Sequence, residues 1–117
     1  GSHGQQDGPA AHWELWMLEM AGMAPHDVLR AGTINVARGM GMGADFGSLE
    51  AGKVADLVVL DANPLDDIRN STAIQYVMKG GELYDGDTLD MVWPRAEPLR
   101  PFHYVDFGPP PQGTWVR

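Results

Sequence analysis

Apolar positions fall into three patterns along the chain. Residues 10–21 carry Trp13, Leu15, Trp16, Met17, Leu18 and Met20 and are apolar nearly all round over a helical length. A helix of that kind is buried on several sides, which is more burial than a chain of 117 residues supplies from within. It therefore asks for neighbours that the chain does not contain. Gly22 ends it, and Pro25 opens a second helix, where the missing proline N–H costs nothing. Asp27 stands in that first turn, facing the positive end of the helix dipole. Val28, Leu29, Gly32, Thr33, Val36, Ala37 and Met40 form one stripe at helical spacing, stopped by Gly39, Gly41 and Gly43.

After residue 43 the pattern changes to strands. Residues 55–61 predict a short strand around Leu57, Val58, Val59 and Leu60, and a continuous apolar run implies burial on both faces. Asn63-Pro64 breaks it. Residues 73–78 and 82–84 predict two further strands joined by a tight hairpin at Lys79-Gly80-Gly81, because glycine accepts positive φ. Residues 87–91 suit one helical turn. From Trp93 onward Pro94, Pro98, Pro101 and Pro109 to Pro111 alternate with Phe102, Tyr104, Phe107 and Trp115, an extended arm with apolar anchors. Residues 1–9 are polar and glycine-rich, so they read as loop. There is no internal repeat.

Composition narrows the class of partner. The chain is 44% hydrophobic, which suits a folded domain, and carries a net charge of −8 with a pI near 4.7. An acidic chain repels phosphate backbones, so nucleic acid is not an expected partner. No polybasic cluster points to a membrane surface, and no apolar run approaches the roughly 20 residues that span a bilayer. Cysteine is absent, which excludes disulfides and thiolate metal sites and is compatible with either redox compartment. The N-terminus lacks the basic start and apolar core of a signal peptide; the compartment stays undetermined.

Most chemistry-bearing side chains have a structural reading. Asp56, just before the first strand, is expected to accept turn amides. Asp61, Asp66 and Asp67 make a solvated acidic loop whose spacing does not match a calcium-binding hand. Gly39, Gly41 and Gly43 follow a helix, with no Lys-Ser/Thr after them, and so are not a phosphate loop. Trp13, Trp16, Met17 and Met20 read as core. His26 reads as exposed, and Glu14 and Glu19 as solvated or paired. His12 and Glu14, two apart, lie on different helix faces and cannot share a metal.

Several segments line up in an order that resembles the C-terminal end of the metal-dependent amidohydrolase superfamily. They are Gly1-Ser2-His3, His12-Trp13-Glu14-Leu15, Ala21-Gly22-Met23-Ala24-Pro25, Leu29-Arg30-Ala31-Gly32-Thr33, Gly47-Ser48-Leu49, Gly52-Lys53-Val54-Ala55-Asp56-Leu57 and Asn63-Pro64-Leu65. Within it the chain is similar to the imidazolonepropionase-like and Xaa-Pro dipeptidase-like members. The resemblance covers roughly residues 1–90, and the combination over residues 47–65 is its most specific part.

The fold class that the resemblance implies is an α/β fragment. Residues 1–42 would supply the end of the eighth strand of a (β/α)8 barrel and the helices after it. Residues 43–90 would supply the C-terminal strands of a small β-sandwich, and residues 91–117 an extended tail. The family cleaves amide C–N bonds with one or two divalent metals, zinc among them, that lower the pKa of a bound water. Its ligands include a His-x-His pair, of which this chain has none. Family members usually carry Gly-x-Asp where this chain has Gly1-Ser2-His3. The resemblance therefore points to His3 as metal ligand and base, with Asp7 as the other carboxylate within reach, although the triplet also matches a cloning remnant. His12, at the helix start, is placed to line the substrate pocket.

Two expectations follow. The first is the C-terminal part of a metal-dependent amide hydrolase acting on a small amide, dipeptide or cyclic amide, the chain itself being mainly structural, inactive alone and without a cofactor of its own. The second is a non-catalytic fragment that self-associates. Exposed apolar helix surface makes a homo-oligomer the expected state in either case.

Overall fold

The structure is a computed structural model, and it describes residues 8–99. His3, Asp7 and the arm beyond residue 99 lie outside the described residues. Three helices come first: α1 at Pro9–Met20, α2 at Pro25–Gly32 and α3 at Ile34–Gly39. A four-stranded antiparallel sheet follows in the order β1-β2-β3-β4. Its strands are β1 at Leu57–Leu60, β2 at Ile74–Lys79, β3 at Glu82–Asp85 and β4 at Met91–Trp93, with a 3-10 segment at Ile68–Thr72 between β1 and β2.

Local chemistry accounts for most boundaries. Pro9 and Pro25 each open a helix from its first turn, where a proline has no N–H to lose. Gly80 and Gly81 both sit at positive φ, 57° and 87°, and so let Lys79 pair with Glu82 across a two-residue turn. Asn63 accepts the Leu65 amide at 3.1 Å on its side chain and so turns the chain immediately after β1. Asp67 caps the 3-10 segment by accepting the Arg69 amide at 2.9 Å.

The core is small, and its buried apolar residues come from α2, α3 and the 3-10 segment. Val28 and Ile68 are fully enclosed, and Ile34 and Ala37 are nearly so.

Four expectations are corrected. The apolar stripe of the second helix is not continuous: at Thr33 the backbone leaves helical geometry, with φ −127° and ψ −100°, while the Thr33 hydroxyl donates to the Leu29 carbonyl at 2.7 Å. The break rotates the phase, so Ile34 and Ala37 turn inward while Val36 and Met40 stay exposed.

The β1 run is not buried on both faces, since Val58 and Val59 are exposed; among the described residues β1 has a strand neighbour on one side only. Helix α1 is not buried on several sides either. Trp13, Met17 and Met20 are 45%, 59% and 76% exposed, because among the described residues α1 packs chiefly against α2 and the 3-10 segment. Finally, the single helical turn lies at residues 85–89 rather than 87–91, with the Leu89 amide donating to the Asp85 carbonyl at 3.0 Å, and the expected extended arm begins in the sheet. Met91 pairs with Tyr84 on one side and with Glu97 on the other.

Candidate functional site

Helix α1 and the 3-10 segment bring together the one polar constellation that includes a sequence-predicted site residue. His12 Nδ1 stands 3.0 Å from Ser71 Oγ, and Trp16 Nε1–H donates to the same oxygen at 3.3 Å. Residues 12 and 16 are one helical turn apart and therefore share a face. The Arg69 guanidinium lies 5.7 Å from the centre of the Trp16 ring, within cation–π range. It also approaches Glu19 at 4.0 Å. His12 thus reaches across to a segment 59 residues away.

Ser71 and Arg69 carry no signal in the sequence. They sit in Arg69-Asn70-Ser71-Thr72, which reads as a connection between strands, and only the three-dimensional packing gives Ser71 its partners. The His12–Ser71 pair has the superficial form of a base and a nucleophile. Ser71 is, however, buried at 7% exposure and already accepts from Trp16, so its oxygen is committed to the network rather than presented to a substrate.

The segment from Gly47 to Leu65 is a structural lock. The Lys53 side chain is only 11% exposed, and its ammonium donates to the Gly43 carbonyl at 2.8 Å and to Ser48 Oγ at 2.6 Å. Ser48 in turn donates to Glu50 at 2.6 Å. That hydrogen bond, together with Lys53, holds Glu50 below the usual carboxylate range. Gly47 lies against α3 so closely that a Cβ would come within 2.8 Å of Ile34 Cα. Asp56 accepts the Gly80 amide at 2.6 Å, as expected of a turn acceptor. This bond, with the Lys79 ammonium beside it, lowers its pKa. None of these groups is free for chemistry.

Concave regions are also present among the described residues. An open trough of about 670 Å³ runs between α2, the Gly47–Leu49 loop and β1, lined by Leu29, Leu49, Leu57, Val58, Leu60 and Val77 among others. A smaller hollow of about 310 Å³ lies over β3 and β4. There the Tyr84 hydroxyl donates to Glu82 at 2.7 Å, which raises the Tyr84 pKa. The trough is mostly apolar, and its two charged residues, Asp56 and Lys79, are paired with each other at 3.3 Å, so it has the character of a packing surface.

A metal centre needs several converging donors. Among the described residues no three His, Asp or Glu side chains converge in that way, and residues 8–99 therefore do not themselves fit a metal site. Neither do Asp61, Asp66 and Asp67, of which Asp67 caps the 3-10 segment. Among the described residues no helix is long and apolar enough to cross a membrane.

Comparison with known proteins gives this arrangement a family. The amidohydrolase family model matches residues 10–84. The ochratoxinase of Aspergillus niger is 36% identical over 83 residues, covering 68% of this chain and 17% of the relative. The imidazolonepropionase of Shouchella clausii (strain KSM-K16) is 44% identical over 64 residues, 52% of this chain and 14% of that protein. Among solved structures, a Xaa-Pro dipeptidase with bound methionine in its active site superposes with a TM-score of 0.62 at 31% identity, covering 69% of this chain and 20% of the other. The chain thus spans a fifth or less of the length of these relatives. The match across α1 to β3, the lock at residues 47–65 and the structural likeness converge, and the chain belongs to the amidohydrolase family.

Proposed function

We propose that this chain is the C-terminal part of a hydrolase that cleaves amide C–N bonds in small amides, dipeptides or cyclic amides. The observation that carries the reading is the family match over residues 10–84. It is supported by relatives named ochratoxinase, imidazolonepropionase and Xaa-Pro dipeptidase. The chain's own contribution is chiefly structural. In this reading α1 to α3 follow the last strand of a (β/α)8 barrel, and β1 to β4 belong to a small β-sandwich. The apolar trough and the open faces of α1 and β1 are the surfaces that the rest of the protein covers.

The family is generally metal-dependent, and a divalent ion, zinc in this reading, belongs to the whole protein. Because the described residues do not fit a metal site, no chemical step through the ion is assigned to residues 8–99. His3 is the proposed ligand and base, Asp7 the accompanying carboxylate, and His12 the group that faces substrate. The test is hydrolysis of a panel of dipeptides and cyclic amides by the whole protein. C–N cleavage that is lost in H3A and D7N supports the assignment, and full activity in both variants removes these two residues from the site.

A second reading is favoured by one observation: α1 has no buried residue, although it carries Trp13, Met17 and Met20. Here the chain is a non-catalytic unit that associates with itself through this face. Amide hydrolysis by the whole protein separates the two, since this reading requires none, and it further requires a homo-oligomer that M17E and M20E together dissociate.

A further inference from the structure

Ser71 is buried at 7% exposure, and the direction of one of its hydrogen bonds is fixed. An indole nitrogen can only donate, so Ser71 Oγ accepts from Trp16 at 3.3 Å. The hydroxyl still has a proton to give, and among the described residues the acceptor placed for it is His12 Nδ1 at 3.0 Å. A buried hydroxyl proton is rarely left without an acceptor. In a neutral ring, an accepting Nδ1 puts the proton on Nε2. Among the described residues no buried side-chain nitrogen or oxygen lacks a partner, and none bonds Nε2, so this edge of the ring opens outward. Arg69, over the Trp16 ring and beside Glu19, braces the indole that aims at Ser71.

We propose that Ser71 is a positioning residue that holds His12 as the Nε2–H tautomer, and that this N–H donates to an acceptor oxygen of the bound substrate. The same tautomer removes His12 from metal ligation, since a metal needs a ring nitrogen with a free lone pair, and the outward nitrogen has none. The substrate half of the proposal rests on the hydrolase reading above, whereas the tautomer half does not.

The test is nitrogen-15 NMR of the histidine-labelled chain, with the His12 signals assigned by their loss in H12Q. The expected spectrum shows a pyridine-type Nδ1 and a pyrrole-type Nε2 for His12. S71A shifts the two toward a mixture, and S71T, which keeps the hydroxyl, restores them. A pyrrole-type Nδ1 in the unaltered chain overturns the proposal, as does an S71A spectrum identical to it. If S71A fails to fold, the unaltered chain and S71T still decide the tautomer. In the whole protein S71A raises KM by about five- to tenfold, the scale of one hydrogen bond, with kcat nearly unchanged, and S71T restores KM. A fall in kcat at constant KM overturns the substrate half. Absence of any amide hydrolysis alongside the expected spectrum overturns the hydrolase reading and leaves the tautomer standing.

Discussion

Asp56 and Gly80 are joined by a 2.6 Å hydrogen bond from the Gly80 amide to the carboxylate, across 24 residues of chain. The bond ties the β2–β3 hairpin turn to the residue just ahead of β1. Together with the Gly81 amide, which donates to the Ala55 carbonyl at 3.0 Å, it fixes where β1 begins against β2.

This bond has a pH signature. The Gly80 amide, and after it Lys79, lower the Asp56 pKa, and the Thr88 and Asp87 amides lower that of Asp85. A depressed folded-state pKa gives stability that is present above the unfolded value, about 3.9, and lost as pH falls through the folded value. Thermal unfolding should therefore show a melting temperature that declines below about pH 4. In D56N and D85N that decline should be shallower than in the unaltered chain. An unchanged acid slope in both variants contradicts the assignment.

Gly47 and Gly52 have nearly the same φ, 90° and 93°, and differ in surroundings. A Cβ on Gly47 would lie 2.8 Å from both Ile34 Cα and Ala37 Cβ, whereas one on Gly52 meets nothing within 4 Å. G52A should cost about 1 kcal/mol from left-handed strain alone. G47A should cost about 3 kcal/mol or more, because overpacking against α3 adds to the same strain. Denaturant unfolding of the two variants measures the difference, and equal losses would show that the close approach is not there.

Lys53 should matter more than its ion pair. Its partner Glu50 is 64% exposed, and an exposed pair contributes little. The ammonium also satisfies the Gly43 carbonyl and Ser48 from a nearly enclosed position. K53M should lower stability by about 1–3 kcal/mol, while E50Q leaves the melting temperature nearly unchanged. The reverse order would assign the lock to the surface pair.

What could be read from the sequence follows local chemistry. Gly80-Gly81 announced the hairpin, Pro25 the start of α2, Asn63-Pro64 the end of β1, and Asp56 its role as an amide acceptor. The family resemblance, carried by the combination over residues 47–65, was legible for the same reason: its glycines, Lys53 and Asp56 answer to short-range geometry. The Thr33 break was not legible, because helical spacing continues straight through it in the sequence. β4 was hidden by Pro94 and Pro98, although Met91 forms both of its bonds to Glu97, at 2.8 Å and 2.9 Å, just beside them. The exposure of α1 follows from the expectation of missing neighbours, although its residues read as core, while nothing in the continuous run Leu57–Leu60 marks Val58 as exposed. Ser71 could not be found, since nothing local marks it as the partner of a histidine 59 residues away.

The most direct test is hydrolysis of dipeptides and cyclic amides by the whole protein, before and after treatment with a metal chelator, beside the 117-residue chain alone. The account predicts C–N cleavage by the whole protein, its loss on chelation and recovery with zinc, and no cleavage by the isolated chain. Hydrolysis by the isolated chain, or a whole protein that cleaves no amide bond, would contradict it.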